Sequence, residues 1–459
     1  MKKIFYLQIF TLLTPWLLCA QIWTEQNPNY PQPVFGFDVE VASATAAWTV
    51  GITGDFSVSP WSIGDGGHYF SRTANGGATW TSATFPSTGA GYTSNISAID
   101  ANVAWIAYVD YGDGNHIFKT VDGGDHWADQ NTVIDVWVDV VYFWDNAVGV
   151  TIGDPDSLGF QIATTSNGGD TWSRVPVANI PAALPGEFGI TNNYCTVNNG
   201  ATDNSKIWFA TNFGRVYYSA NKGHSWTVSD PGANAFPDKV ACDGYGHCLL
   251  SIGDYSDPLI NKYHLWRTVD AGATWAEITS ATDNEWSVVA IQYVPNGGGV
   301  VIGTFRHNNA TGPFETRITY NHADTWITID SSTKVFDLDF ASPTVGWATE
   351  YTNTNDSTKI FKYASSPLLG LFSPNTLQAD ITLSPNPTSD LFRIHVQVAE
   401  PGDFILLLND AQGRLVKNMT VRNTADFTEE MAIGNLPVGI YSLTVSGKTG
   451  SITRQVEKL

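Results

Sequence analysis

Positive charge is scarce in this sequence. Its 459 residues hold 23 Lys plus Arg against 44 Asp plus Glu, a net charge of −21. Nucleic acids and anionic membrane surfaces need Lys and Arg to neutralise phosphate, so neither is an expected partner. Charge of either sign is sparse, at 15 % of residues, and methionine occurs only 3 times. Long solvated helices draw on those residues, so few are expected. Past the N-terminus no apolar run approaches the ~18 residues of a membrane helix, so no membrane span is expected in the mature chain. What is abundant is glycine (42) and the aromatics, with 17 Trp, 18 Tyr and 23 Phe. That is the composition of strands and turns, and with 43 % hydrophobic residues the chain is globular.

Lys2 and Lys3 precede an apolar stretch from Ile4 to Leu18 and then Cys19-Ala20-Gln21. This reads as a secretory signal peptide over residues 1–20, cleaved after Ala20. Cys19 raises lipoprotein processing, but Leu18 stands where such signals need a small residue. The remaining cysteines are Cys195, Cys242 and Cys248. Cys242 and Cys248 flank the turn sequence Asp-Gly-Tyr-Gly-His and are placed to form a disulfide across a hairpin in an oxidising compartment, leaving Cys195 as an odd thiol.

The middle of the chain repeats. Octets begin at Thr73 (TANGGATW), Thr120 (TVDGGDHW), Thr165 (TSNGGDTW), Ser219 (SANKGHSW), Thr268 (TVDAGATW) and Thr319 (TYNHADTW), spaced 47, 45, 54, 49 and 51 residues apart. Each has the chemistry of a tight turn. Ser or Thr ends one strand, Asn or Asp bonds its own backbone, glycine supplies positive φ and Trp opens the next strand. The sixth octet is degenerate, with Ala323 at the glycine position. The octets resemble the Asp-box of sialidases, sortilin-type receptors and photosystem-assembly propellers. The resemblance implies a structural role for Asn75, Asp122, Asn167, Asn221, Asp270 and Asn321, away from any active centre.

Apolar hairpins starting near Phe37, Asn95, Val140, Cys195, Val240, Val288 and Val335 accompany the octets, giving seven hairpins for six octets. Ile22-Trp23-Thr24-Glu25 looks like the strand that follows each octet Trp, so it is expected to complete the last unit. The expected fold is all-β: a seven-bladed β-propeller over residues 21–364, closed by its N-terminal strand, which removes exposed sheet edges. A Ser/Pro/Asn-rich linker over 365–376 and a separate unit over 377–459 follow. That unit contains Leu383-SPNPTSD-Leu391, Asp410-AQGR-Leu415 and Leu436-PVGIYSLTV. It resembles the type A C-terminal sorting domain of the type IX secretion system. The resemblance implies a small β-sandwich that engages the type IX machinery through residues 377–459, and delivery to the medium or outer cell surface of a Gram-negative bacterium through the periplasm.

A ligand is expected on the face opposite the octets, where the loops after the second strand of each hairpin are long. An acid recurs at the end of that strand, as Asp55, Asp110, Asp154, Asp254 and Glu350, a candidate ring of carboxylates for a hard cation or for a cationic or polyhydroxyl ligand. Asp154 with Asp156, and Asp254 with Asp257, are the best local pairs. No cofactor is required, and Ca2+ at Asp154 and Asp254 is the candidate metal. Trp61, Tyr111 and Arg306 are further ligand-face candidates. His68, His116 and His264 recur at the start of the third strand, but on widely spaced blades. The alternative reading is that these acids simply begin turns in solvent.

A sialidase needs three arginines to clamp its substrate carboxylate. Of the six propeller arginines, Arg72, Arg267 and Arg317 fall beside octets and Arg174 follows one, leaving Arg215 and Arg306. The sequence therefore reads as an exported binding or scaffolding module for a glycan or protein, not as a sialidase. The alternative is a single-propeller glycoside hydrolase using two ligand-face carboxylates roughly 5–9.5 Å apart.

Overall fold

The computed structural model describes residues 22–55, 62–63, 68–86, 91–112, 114–130, 133–196, 205–232, 236–243, 246–254, 262–278, 286–295, 300–307, 313–320, 322–323, 325–352, 359–364, 377, 379–410, 415–447 and 450–459. The segments expected to be a signal peptide and a linker lie outside these residues, as do Trp61, Asp257 and Asn321. Among the described residues the one helix is the 3-10 turn Val177–Asn179, and no helix is long and apolar enough to cross a membrane.

Seven antiparallel sheets of four strands follow one another along the chain. Their innermost strands, in order, are Phe35–Glu40, Gly91–Ala98, Val138–Phe143, Gly189–Thr196, Phe236–Cys242, Trp286–Tyr293 and Val335–Ser342. Each lies against the next, and the last lies against the first. The second strands are packed on both faces, so they read as unbroken apolar runs instead of alternating ones. All seven residues of Ala104–Asp110 are buried. Fully buried Trp48, Trp105 and Trp347 occupy equivalent second-strand positions, and Trp105 stacks on Phe143 of the next sheet at 3.6 Å between ring centroids.

Neighbouring sheets are also tied by side chains on the innermost strands. Asp38 accepts from the Ile96 N–H at 2.8 Å, Asn95 from Val141 at 2.8 Å, Asn193 from Val240 at 2.9 Å and Gln292 from Phe340 at 2.8 Å. The circle closes where Asp337 and Asp339 accept from Val39 and Val41 at 3.2 and 2.6 Å. The seventh sheet is built from both ends of this region, with Trp23–Gln26 pairing along Ile360–Tyr363 and Trp23 opposite Tyr363. Cys242 and Cys248, partners in one hairpin register, form a disulfide, while Cys195 is a free thiol that burial pushes up in pKa.

The octets close on themselves. In the third, the Gly169 N–H donates to Thr165 Oγ1 at 3.1 Å, the Thr171 N–H to Asn167 Oδ1 at 3.0 Å, and Asn167 Nδ2 to Thr171 Oγ1 at 2.9 Å. The same bonds recur in the first and fourth octets. Basic side chains of one sheet cap the next octet, as where Lys362 Nζ donates to the Gly76 carbonyl at 2.6 Å. Asn167→Ala removes the acceptor and donor that close its turn, and is expected to cost about 1–2 kcal/mol in urea unfolding. A cost near zero would show that glycine and Trp suffice.

The described strands of the tail, expected as a sandwich, form one continuous five-stranded sheet. Two long strands, Leu391–Asn409 and Leu415–Ala432, run through it. Their pairing shifts register between Gln397 and Phe404. Before the shift the first strand pairs with Ala379–Ser384, after it with Gly439–Gly447. Both halves share one core, containing Phe392, Ile394, Leu406, Leu408, Leu443 and Val445.

Candidate binding site at the axis

Each of the seven innermost strands carries a register shift against its neighbour near its N-terminal end. A bulge re-aims side chains, and here it turns residues of several sheets onto a shared axial space. A cavity of about 640 Å³ opens there, lined by Phe37, Tyr92, Trp137, Asp139, Asp154, Gly189, Thr191, Lys239, Arg306, Phe336, Tyr351 and their neighbours. These strand ends lie opposite the octet turns, the side on which the sequence places a ligand.

The wall is largely aromatic and continuous. Tyr351, Phe336, Phe37, Tyr92 and Trp137 follow one another with ring centroids 6.2, 6.1, 5.2 and 5.7 Å apart, and Tyr111 extends the arc 6.2 Å beyond Trp137. Phe188 and Phe236 face each other across the fourth and fifth sheets at 6.4 Å. Arg306 Nη1 donates to the Tyr351 hydroxyl at 2.7 Å. Trp137 Nε1 donates to Thr191 Oγ1 and that hydroxyl to Asp139 Oδ1, each at 3.1 Å.

Asp139 is 2 % exposed, and its Oδ2 is buried without a hydrogen-bond partner among the described residues. Gly189 leaves room for it, since a β-carbon there would stand 2.3 Å from that oxygen. Burial, then the nearby charge of Asp154, holds the Asp139 carboxyl well above the ordinary range; burial likewise raises Asp154, which accepts the Gly189 N–H at 2.9 Å. The two carboxyls compete for protons. Deeper on the axis, Asp38 is raised by burial and by Asp337, and Lys239 Nζ lies 3.4 Å from Asp337 Oδ1.

Only part of the candidate set from the sequence comes together. Asp154 and Arg306 line the cavity, and Tyr111, 54 % exposed, stands beside it. Asp110 is buried and accepts the Gly112 N–H at 2.8 Å. Glu350 accepts the Lys359 N–H at 3.1 Å. Asp55 and Asp254 end their strands. Of the five acids expected as a ring, Asp154 is the one among the cavity-lining residues, and the side chains of Asp55 and Asp254 lie outside the described set. Asp156 is not a second ligand beside Asp154. It pairs with Arg174 at 2.8 Å and caps the Leu158 and Gly159 N–H groups; regular alternation would put Asp154 and Asp156 on one face, but the register shift between Gly153 and Pro155 breaks it. His116 and His264 pair within their own sheets, with Asp129 and Glu277, both at 2.6 Å. Arg215 is buried against Glu187 at 2.6 Å.

The sequence reading missed Asp139, Lys239 and most of the aromatic arc. The signal was one polar residue per apolar hairpin near its start, as Asp38, Asn95, Asp139, Asn193, Lys239 and Asp337.

The chain is similar to two families and to solved propellers. Residues 382–458 match the profile of the secretion system C-terminal sorting domain, and residues 104–235 that of the photosynthesis system II assembly factor YCF48. Among solved structures, YCF48 bound to D1 peptide aligns with TM-score 0.52 at 13 % identity, over 75 % of this chain and 96 % of that one. YCF48 from Cyanidioschyzon merolae aligns with TM-score 0.50 at 12 % identity, over 74 % and 98 %. At that identity the likeness concerns the fold. No curated protein matches the sequence. An all-β repeat of four-stranded sheets and a C-terminal sorting match together describe a BNR-type β-propeller joined to a type IX secretion tail.

Proposed function

We propose that the chain is an exported seven-bladed propeller whose axial cavity binds a basic segment of a protein partner. In this reading the seven sheets are the blades, Trp23–Gln26 closes the ring, and the tail is a sandwich-like module that delivers the propeller through the outer membrane to the cell surface or medium.

The observation that carries the binding reading is the Asp139–Asp154 carboxyl pair on the wall of an aromatic cavity, where no protein N–H or basic side chain among the described residues reaches Asp139 Oδ2. A buried carboxyl pair that must share a proton is a poor substitute for an ionised carboxylate with its own donor, and a ligand N–H supplies that donor. A Lys or Arg side chain, or a chain-terminal ammonium, brings both the donor and a positive charge favoured by aromatic faces. The net charge of −21 draws such a partner in. That a YCF48 propeller is bound to a peptide supports a protein ligand over a glycan. A cation entering beside the Asp139–Asp154 pair displaces the proton they hold, so affinity should rise with pH.

The test is a panel of basic, acidic and neutral peptides titrated onto the mature chain by fluorescence polarisation, beside a polysaccharide array. Basic peptides should bind best, and Trp137→Ala or Asp139→Asn should weaken them at least tenfold, about 1.4 kcal/mol. Binding indifferent to peptide charge, or confined to polysaccharides, overturns the reading. The same titrations with Ca2+ probe the metal at Asp154 and Asp254. New reducing ends from any polysaccharide, lost in Asp154→Asn, would make the protein a glycoside hydrolase.

A further inference from the structure

At the other end of the strands from the cavity, Asp243 and His247 sit in the turn joining Phe236–Cys242 to Cys248–Asp254 in the fifth sheet. His322 is the fourth residue of the sixth octet, in the next sheet. One ligand atom from each of the three lies within 4.8 Å of the other two, the one such grouping among the described residues.

The turn is braced. The Cys242–Cys248 disulfide closes its base, the Asp243 N–H donates to the His247 carbonyl at 3.0 Å, and the His247 N–H donates to Asp243 Oδ1 at 3.1 Å. Asp243 Oδ2 lies 2.5 Å from His247 Nδ1 and orients that ring. The His247 and His322 rings stack with centroids 4.1 Å apart. The Tyr293 hydroxyl is 3.2 Å from His322 Nδ1, and Arg267 holds the His322 carbonyl at 3.0 Å.

His322 is also held where a side chain is disfavoured. Its φ is +53° and that of Ala323 is +75°; the first three octets carry glycine at both positions, and the fourth and fifth carry Lys222 (φ +56°) and Ala271 (φ +59°) at the first of them. A β-carbon in the left-handed region costs roughly 1–2 kcal/mol relative to glycine. Of the three octets with a side chain at this position, the sixth presents an imidazole, and it faces the fifth sheet.

We infer that Asp243, His247 and His322 bind one divalent transition-metal ion, of which zinc is the natural probe, and that the ion clips the fifth sheet to the sixth. Two imidazoles and a carboxylate are a donor set of open zinc sites, in which water takes the fourth position. A tetrahedral shell with bonds near 2.0–2.1 Å puts its ligand atoms roughly 3.3 Å apart. The ligand atoms now lie within 4.8 Å of one another, so binding draws them closer, and the Asp243 Oδ2–His247 Nδ1 bond gives way where either atom is the ligand. The site is remote from the axial cavity and independent of what binds there.

The mature full chain, carrying no polyhistidine tag and stripped with chelator, is titrated with ZnCl2 by calorimetry and followed by thermal unfolding. One zinc per chain should bind with a micromolar or tighter Kd and raise the Tm by a few degrees. His322→Gly installs the residue that the first three octets use at this left-handed position, so it keeps the fold while removing a ligand. It should weaken zinc at least a hundredfold and abolish the Tm shift, and His247→Ala should weaken zinc comparably. Absence of zinc binding to the wild-type chain at about 100 µM, or undiminished binding to His322→Gly, overturns the inference.

Discussion

Trp23→Ala should destabilise the protein by about 3–5 kcal/mol, the range for deleting a fully buried large aromatic. Trp23 is 0 % exposed, and its ring meets Phe340 and Tyr363 edge-on at 6.1 and 5.8 Å. Its indole N–H donates to Thr316 Oγ1 at 3.1 Å, in the third strand of the sixth sheet. The substitution therefore opens a cavity between the sixth and seventh sheets and leaves a buried hydroxyl without its partner. It also loosens the strand that covers Ile360–Tyr363, exposing an edge from the inside of the chain to pairing with another molecule. Urea unfolding followed by far-UV circular dichroism measures the cost, and size-exclusion chromatography the association. Val121→Ala, at a 64 % exposed position, is the control and should cost under about 0.5 kcal/mol. A cost below about 1 kcal/mol for Trp23→Ala would mean that the N-terminal strand is not part of the core.

That closure was readable from the sequence, and the reason is local. Trp23-Thr24 repeats the Trp-Thr at which the outer strand opens after the first and fourth octets, Trp80-Thr81 and Trp226-Thr227, and a strand that buries one Trp needs a sheet lacking a fourth strand. The octets were legible for the same reason, since each makes its hydrogen bonds within eight residues, as Thr165, Asn167, Gly169 and Thr171 do. The axial site was not. Its side chains come from strands up to about 300 residues apart, as Phe37 and Phe336 show. Which of them face the axis is decided by a bulge that flips the alternation partway along each innermost strand. Asp154 and Asp156 looked equivalent in sequence, yet one faces the cavity and the other pairs with Arg174. The sixth octet read as degenerate at Ala323, and His322 beside it drew no notice, since its neighbour His247 lies in a turn 75 residues earlier.

The carboxyls on the axis lead to the second large effect, a loss of stability as pH rises. Asp339 accepts the Val41 N–H at 2.6 Å and Gln292 Nε2 at 2.6 Å, and burial pushes its pKa from 3.8 up to about 6. Glu40 is raised by burial and by Asp339, Asp38 and Asp337, and Asp38 by burial and Asp337, with Lys239 as the opposing charge. A carboxyl whose folded pKa lies above its unfolded value binds more protons when folded. Its stabilisation is complete below the unfolded pKa and is lost as pH climbs through the folded one. For Asp339 the window runs from 3.8 to about 6, and the loss across it is up to about 3 kcal/mol at 1.36 kcal/mol per unit. Urea midpoints should therefore fall between pH 4 and pH 6.5. Asp339→Asn keeps an acceptor for the Val41 N–H and cannot ionise, so its profile should be flatter by that amount. Asp170→Asn, at a side chain 69 % exposed, removes one negative charge without touching the axis and should leave the slope unchanged. A wild-type midpoint that is level or rises across the window, or equal slopes in Asp339→Asn and wild type, would mean that the axial carboxyls fold already ionised.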